Sequence, residues 1–451
     1  MRILITNNTL ADRAGTELYV RDLAVGLVRR GHSPIAYSSV LGEVAAELGR
    51  ATVPVVNDLS AVGVAPDVIH GQHHLDAMSA MLRFPHVPAL YMCHGWQPWQ
   101  ELPPLFPSIV RYVAVDDLCR ERLETTPGID PDRIRTVYNA VDLRRFTPRS
   151  PLPSRPRSAL IFSNYATEEH VIGAIRAACH AYGISQVDVA GRDSGTSVDC
   201  PERALPHYDV VFAKARCALE AMAVGCAVIV ADRPGLGGLV TPESVERQRR
   251  LNFGVRTMQA APLTEDTVTR ELHRYNAARS HDVSAFIRAH AGSEQALDTL
   301  EAIYEEVRAE PVTWSETAGL DACAAASAYI TALASIMKAW TLAHEASVAA
   351  DAWSETRIAS LSNQVQRLSS EMERLTDEAQ RLTEEDQRHR AEAHRHADWN
   401  RELNTELGTT RLHLSAATRE VTAVTTELSA VRRSRTWRAL GLYRRVRAWA
   451  G

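Results

Sequence analysis

The chain has 451 residues, 45% hydrophobic and 23% charged, with a net charge of −5; that allows two or three domains with a sizeable core and gives no reason to expect nucleic acid as a partner. Its seven cysteines are scattered, odd in number and without a CxxC pair or a Cys/His spacing suited to zinc, which speaks against a disulfide scaffold or zinc module and fits reduced thiols in a cytoplasmic protein. Met1-Arg2 runs straight into Ile3-Leu4-Ile5, too short for a signal-peptide core. The longest uncharged stretch, between Asp321 and Lys338, falls short of the ~20 apolar residues of a spanning helix, so no transmembrane segment is expected.

Ile3 to Thr6 reads as a short buried strand, Asn7 to Gly15 as a polar loop, and Thr16 to Arg30 as an amphipathic helix carrying Leu18, Leu23, Val25, Leu27 and Val28 and stopped by Gly31. Pro34 to Ser38 is the next strand, completing a βαβ opening. Its lone Gly15 is a weak phosphate signal, because the three-glycine fingerprint is absent. Val68 to His70 is a further strand. The Gly71-Gln72-His73-His74 that follows invites a metal reading, but no carboxylate pattern accompanies it, and a polar strand end is the better account. Ala89 to Met92 is a strand ending in Cys93-His94-Gly95, which puts His94 at the sheet crevice. Tyr112 to Val115 is followed by a helix from Asp116 to Leu123, capped by Asp116 or Asp117. Asn139, within Ile134 to Asp142, belongs to a turn.

Pro148 to Pro156 holds four prolines and reads as an extended linker. Leu160 to Phe162 is a strand, Val171 to Tyr182 a helix ended by Gly183, and Val187 to Ala190 a strand running into a Gly191-Arg192 turn. Val210 to Asp232, VVFAKARCALEAMAVGCAVIVAD, then gives strand, helix, glycine stop and strand, the pattern of a parallel α/β unit. Lys214 and Glu220 stand near the start of its helix, where open α/β sheets bind anionic ligands. Gly235-Leu236-Gly237-Gly238 reads as a loop able to wrap closely round a ligand. Ser293 to Glu310 is a helix with Leu297, Leu300, Ile303, Tyr304 and Val307 on one face.

RIRTVYNAVDLRRFTP and ALEAMAVGCAVIVAD, in this order, resemble the two signature stretches of the retaining glycosyltransferases of family four. The Gly15 loop, DVIH at 67–70 and His94-Gly95 agree with the same family. The resemblance implies an α/β chain with the GT-B fold, two Rossmann-like domains facing a cleft, the closing helices packing back across the first domain. It implies transfer of a sugar from a nucleotide-diphosphate donor with retention, by a front-face displacement in which the leaving phosphate helps deprotonate the acceptor. Metal and cofactor are not called for. By the resemblance Glu220 holds the ribose hydroxyls and His94 contacts the donor sugar near the reacting centre; Gly15, Thr16, Arg192, Lys214 and Gly237 complete the expected substrate-binding set. The chain departs from the family at three points. Phe212 stands where the first Glu of the paired-Glu motif belongs. Ser163 to Glu168 replaces the usual Arg and Lys after the first strand of the second domain. The 235–238 loop lacks the usual Glu. Lys214 and Arg192 are the substitute cations.

After Pro311 strand signals vanish. An Ala-rich helical patch covers 316–349, and from Ile358 a heptad frame runs through Val365 and Met372 to Leu428 at one core position and through Leu361, Leu368 and Leu375 to Val431 at the other. About seventy residues in one frame predict a coiled-coil rod of roughly 100 Å that brings copies together. Asp386, His389, His396 and Asn400 fall on core positions in its middle, which suggests a frayed centre. Past Glu427 no acid appears. Arg432, Arg433, Arg435, Arg438, Arg444, Arg445 and Arg447 alternate with Trp437, Leu440, Leu442, Tyr443, Val446 and Trp449, a basic amphipathic tail suited to an anionic membrane surface.

The expected organisation is therefore 1–148 acceptor domain, 149–310 nucleotide-sugar domain, 311–357 connector, 358–431 coiled coil and 432–451 tail. The expected protein is a cytoplasmic glycosyltransferase, peripheral at the inner membrane face, acting in polysaccharide biosynthesis on a surface-glycan or lipid-linked acceptor. The rival is a catalytically degenerate GT-B head acting as a coiled-coil scaffold or a sugar-binding module.

Overall fold

The structure is a computed structural model; it describes residues 1–196, 198–310, 316–392 and 399–433. The chain divides into two compact units, Met1–Tyr329 and Ile330–Gly451.

The first unit is built on two sheets. Strands β1 (Arg2–Thr6), β2 (Ser33–Tyr37), β3 (Val55–Val56), β4 (Val68–Gln72), β5 (Ala89–Cys93), β6 (Ile109–Ala114) and β7 (Ile134–Thr136) form a parallel sheet in the order β3-β2-β1-β4-β5-β6-β7. Strands β8 (Ser158–Phe162), β9 (Gln186–Ala190), β10 (Val210–Ala213), β11 (Ala227–Asp232) and β12 (Gly235–Leu239) form a second, in the order β12-β11-β10-β8-β9, with β12 antiparallel. Strands β1, β5, β10 and β11 carry continuous apolar runs because helices cover both faces of their sheets, whereas the central β4 turns polar after Ile69. Ile3, Leu4, Ile5 and Ile69 in the first sheet, and Val210 to Ala213 in the second, are buried.

Local signals explain where helices start and stop. Asp116 accepts the Cys119 N–H at 2.7 Å and opens the helix Asp117–Thr125. Gly183 and Gly225 close their helices in the left-handed region, at φ 99° and 105°, where a side chain is strained. The helix Ser293–Ala309 leaves the second lobe and buries Leu297, Leu300, Ile303, Tyr304 and Val307 in the core of the first. Gly26 of the first helix, Gly15–Arg29, gives it room, since a Cβ there would lie 2.7 Å from Leu297.

Three expectations change. The glycines at 235–238 are not a loop: they form β12, hydrogen-bonded to β11. Gly237 is small because a Cβ would meet Thr257 at 2.6 Å. The helix expected from Val171 opens with a π-helical turn, Glu168–Ile172, before α geometry begins at Gly173. The heptad region is not one rod. The helix Glu316–Glu392 and the helix Trp399–Arg433 are joined by residues 393–398, outside the described ones. Arg357 pairs with Glu427, the Thr418 hydroxyl lies 3.5 Å from Met372 Sδ, and Leu361, Leu368 and Val424 share one buried cluster. Positions far apart in sequence thus meet antiparallel, so the apolar stripe pairs within the chain. The side chains of the four polar core positions lie outside the described residues. The tail beyond Arg433 lies outside them as well.

One further feature runs against the sequence expectation. The long helix carries an 18-residue window, within Gly319–Glu385, of mean hydropathy 1.5 that is only 6% buried. By length and composition it is apolar enough to cross a membrane.

Candidate active site

The carboxyl ends of the parallel strands of both sheets converge on one cleft, the usual ligand position in open α/β folds. On the first lobe, β1 runs through Asn7 into the 7–14 loop and the helix that starts at Gly15. Its first turn contains Glu17, and no side chain caps it. A Cβ at Gly15 would meet no atom within 4 Å, so packing does not demand the glycine. An uncapped helix start carries free N–H groups and a positive dipole end. Beside it stand His73, just past β4, and His94, just past β5.

These two histidines are tied together by a residue the sequence reading passed over. Glu101 is 3% exposed; its Oε1 lies 3.3 Å from His73 Nε2 and its Oε2 accepts the His94 N–H at 3.0 Å. His73 Nδ1 accepts the Asn8 N–H at 3.0 Å, so the Asn8 loop, His73, Glu101 and His94 form one chain of bonds across three strand ends. His73 holds a left-handed φ of 55°, a strain this network must offset. Burial lowers the His94 pKa to about 4, leaving a neutral imidazole at neutral pH. Tyr19 packs edge-on to it with centroids 4.6 Å apart, and His94 Nε2 is buried without a hydrogen-bond partner among the described residues.

On the second lobe, Lys214 directly follows β10 and precedes the helix Ala215–Val224, which also lacks a side-chain cap. The Lys214 ammonium lies 2.8 Å from Asp232 Oδ2 and 4.5 Å from the Tyr165 ring centroid. Asp232, fully buried at the end of β11, also accepts from Ser163 Oγ at 2.9 Å. Arg192 lies 5.9 Å from the same Tyr165 ring and pairs with Asp193 at 3.3 Å. Tyr165 thus sits between Lys214 and Arg192. Burial pushes its phenol pKa up, and Glu17, from the opposite lobe, contributes to that push. Gly191 is obligatory for the turn beside it, because a Cβ would lie 1.8 Å from the Ser163 carbonyl oxygen.

Glu220 is 4% exposed, and its Oε1 accepts from Arg216 Nε at 2.7 Å. Arg216 also pairs with Asp22 of the first lobe, so one guanidinium joins the two lobes. Burial raises the Glu220 pKa, against the pull of Arg216. A cavity of about 320 Å³ lies beside this triad, lined by Tyr19, Asp22, Asn139, Arg145, Arg216 and Leu297 among others. Arg250–Asp117 and Arg256–Glu121 tie the lobes at a further edge.

The structure thus groups Lys214 and Arg192 round Tyr165, with Gly15, Thr16 and Glu17 across the cleft; Glu220 is turned toward the lobe junction and Gly237 sits on an edge strand. Glu17, Asp22, Glu101, Tyr165, Arg216 and Asp232 were not picked out from sequence. Weak signals existed for some of them: Glu17 follows Gly15-Thr16 directly, Arg216 stands one helical turn before Glu220, and Asp232 ends the signature strand. No group of three or more metal-ligating side chains occurs among the described residues.

The family model described as Glycosyltransferase Family 4 matches residues 13–145. No curated protein matches the chain in sequence. Among solved structures, a glycosyltransferase from Rickettsia africae is 13% identical, with 68% of this chain and 99% of that chain covered and a TM-score of 0.49. HepE from Anabaena, in complex with UDP and glucose, is 12% identical, with 68% and 100% covered and a TM-score of 0.46. MurG from Acinetobacter baumannii is 11% identical, with 68% and 99% covered and a TM-score of 0.40. The chain thus has two Rossmann-like sheets facing one cleft, the arrangement of the GT-B fold, and its first lobe, over residues 13–145, is similar to Glycosyltransferase Family 4.

Proposed function

We propose that the protein moves a sugar from a nucleotide-diphosphate donor to a surface-glycan or lipid-linked acceptor, with retention, in polysaccharide biosynthesis at the inner face of the membrane. The observation that supports it best is the pair of uncapped helix starts, at Gly15 and at Ala215, bordering one cleft in a chain whose first lobe matches the family. A departing diphosphate needs fixed positive potential that costs no reorganisation. The first turn of the Ala215–Val224 helix supplies it, beyond the Ala215 N–H that donates to the Phe253 carbonyl at 3.3 Å, aided by Lys214, whose ammonium keeps donors beyond the one aimed at Asp232. Arg192 is the second, more exposed cation. Glu220 offers Oε2 to a ribose hydroxyl while Oε1 stays with Arg216. His94, neutral and with a free ring nitrogen, hydrogen-bonds the donor sugar beside the reacting carbon. The acceptor approaches from the first lobe, and the leaving phosphate takes its proton.

Anabaena HepE binds UDP in its solved complex, so uridine donors head the screen. Thermal shift with a panel of nucleotide sugars identifies the donor, since a ligand that binds only the folded state raises its stability. Titration of that donor into Lys214→Ala and Glu220→Ala is the test of the site: at least a tenfold loss is expected in each, and unchanged affinity in both removes the assignment. Nucleotide release in the presence of a lipid acceptor tests turnover. Absence of both release and binding selects the scaffold. Self-association through the two long helices is a separate proposal, tested by mass in solution; their buried stripe is already paired within the chain.

A further inference from the structure

The segment that follows His94 has an unusual surface. It reads GWQPWQELPPLF from Gly95 to Phe106. Trp96, Trp99, Leu102 and Leu105 are exposed, at 39%, 46%, 39% and 43%. The only ionisable side chain in that run, Glu101, is withdrawn beneath them. Large apolar groups clustered on a surface without charge mark an interaction site.

The backbone beneath them is braced. Arg122 donates to the Gly95 and Pro98 carbonyls, at 2.7 and 3.2 Å. Tyr112 Oη donates to the Pro104 carbonyl at 2.8 Å and Tyr91 Oη to that of Leu102 at 3.3 Å. Glu101 fixes the start of the segment through the His94 N–H. The four apolar side chains are therefore held out by design of the loop and not by looseness of it.

The neighbouring element has the same character. Trp99 and Tyr329 both pack edge-on against His74, with centroids 5.0 and 5.7 Å away, and Tyr329 Oη lies 2.7 Å from His74 Nδ1. Ala325 lines a shallow cavity with Leu105 and Phe106. The first turns of the long helix thus extend the patch, and Leu320 there is exposed. That helix carries the barely buried apolar window already described.

We infer that the 96–105 loop, together with the first turns of the long helix, is a docking surface for an anionic lipid bilayer, placed so that an acceptor carried on a lipid meets His94. Three observations favour lipid over a protein partner. Tryptophan combines an apolar body with one N–H donor, the pairing that settles at the headgroup boundary. Charge is kept to the rim of the patch: Arg256, paired with Glu121, lies 5.9 Å from the Trp96 ring, and Arg133 lines the cavity with Leu105 beside Asp130. The end of the sequence is itself basic and Trp-containing, with no acid after Glu427. The surface serves the proposed lipid-linked acceptor but is tested without any sugar nucleotide, so its failure and that of the transferase reading are read separately.

The test is amide hydrogen exchange on the full chain, with and without vesicles of phosphatidylglycerol and phosphatidylethanolamine, alongside co-sedimentation. Bound vesicles are expected to slow exchange across 96–105 by about tenfold or more, and Trp96→Ala with Trp99→Ala to lower the partition coefficient by about tenfold while nucleotide affinity holds. Neutral phosphatidylcholine vesicles are expected to bind more weakly. Unchanged exchange over 96–105 on vesicles that bind overturns the inference, because the tail then does the docking alone. Absence of vesicle binding overturns it too, as does protection of the loop by a soluble glycan acceptor but not by vesicles.

Discussion

Replacing Arg216 by alanine is the sharpest test of how the two lobes are held. Arg216 is a single guanidinium between two carboxylates of different burial: the Glu220 side chain is 6% exposed and that of Asp22 32%. Removing the cation leaves Glu220 as an uncompensated charge in the core, which costs about 3–5 kcal/mol. Loss of the more solvated Asp22 contact adds only about 1 kcal/mol or less. A lowering of the unfolding temperature on the order of 10 °C is expected. The loss depends on pH in a defined direction. Burial already raises the Glu220 pKa above its ordinary value of 4.5, and Arg216 opposes that shift. Without Arg216 the folded-state pKa rises further. A carboxyl whose pKa is higher folded than unfolded costs nothing below the unfolded value and progressively more as pH climbs through the folded one. The deficit of Arg216→Ala should therefore be large at pH 8 and shrink toward pH 5. Asp22→Asn should lose about 1 kcal/mol, and Arg216→Met combined with Glu220→Gln should recover most of the loss. Urea unfolding at both pH values measures all four chains. A variant as stable as the parent at pH 8, or an equal deficit at both values, refutes the reasoning.

The other predictions rest on single contacts. Lys214→Met leaves the fully buried Asp232 without a cation, held only by the Ser163 hydroxyl and the Arg233 N–H, and should cost about 3 kcal/mol or more, whereas Lys214→Met with Asp232→Asn should be milder, both read by chemical unfolding. Gly191→Ala drives a Cβ into the Ser163 carbonyl and should destabilise by about 3 kcal/mol or fail to fold, visible in expression and circular dichroism. Tyr304→Phe removes the phenol 2.7 Å from His70 Nδ1 in the core and should cost about 1–3 kcal/mol in urea unfolding. Burial lowers the pKa values of His70, His74 and His94 to about 3, 4 and 4. Their contribution is complete above the unfolded value near 6.5 and is lost as pH falls toward 4, so stability should fall by at least about 2 kcal/mol between pH 7 and 4.5.

Much of the frame could be read from the residues because it depends on short-range signals. Apolar runs such as Val210 to Phe212 and Ala227 to Val230 sit in a sheet covered on both faces, and Gly183 and Gly225 end helices where only glycine adopts the backbone without strain. The crossing helix was legible from Leu297, Leu300, Ile303, Tyr304 and Val307 repeating on one face. The 235–238 glycines misled because the same residue type serves a flexible loop and a crowded edge strand, and only the position of Thr257 distinguishes them. The heptad stripe misled for a related reason: its spacing specifies a partner helix but not whose, and the pairing of Arg357 with Glu427 shows the partner in the same chain. The cleft itself is the part no local pattern carries. Glu101 joins His73 to His94, and Arg216 joins Asp22 to Glu220, across intervals of tens to nearly two hundred residues. The sequence determined the strands, the helix ends and the family likeness, since these follow from a few neighbouring side chains. Which carboxylate meets which cation was decided by the tertiary structure, because a buried charge is stabilised by whatever the fold places within about 3 Å of it, whatever its place in the chain.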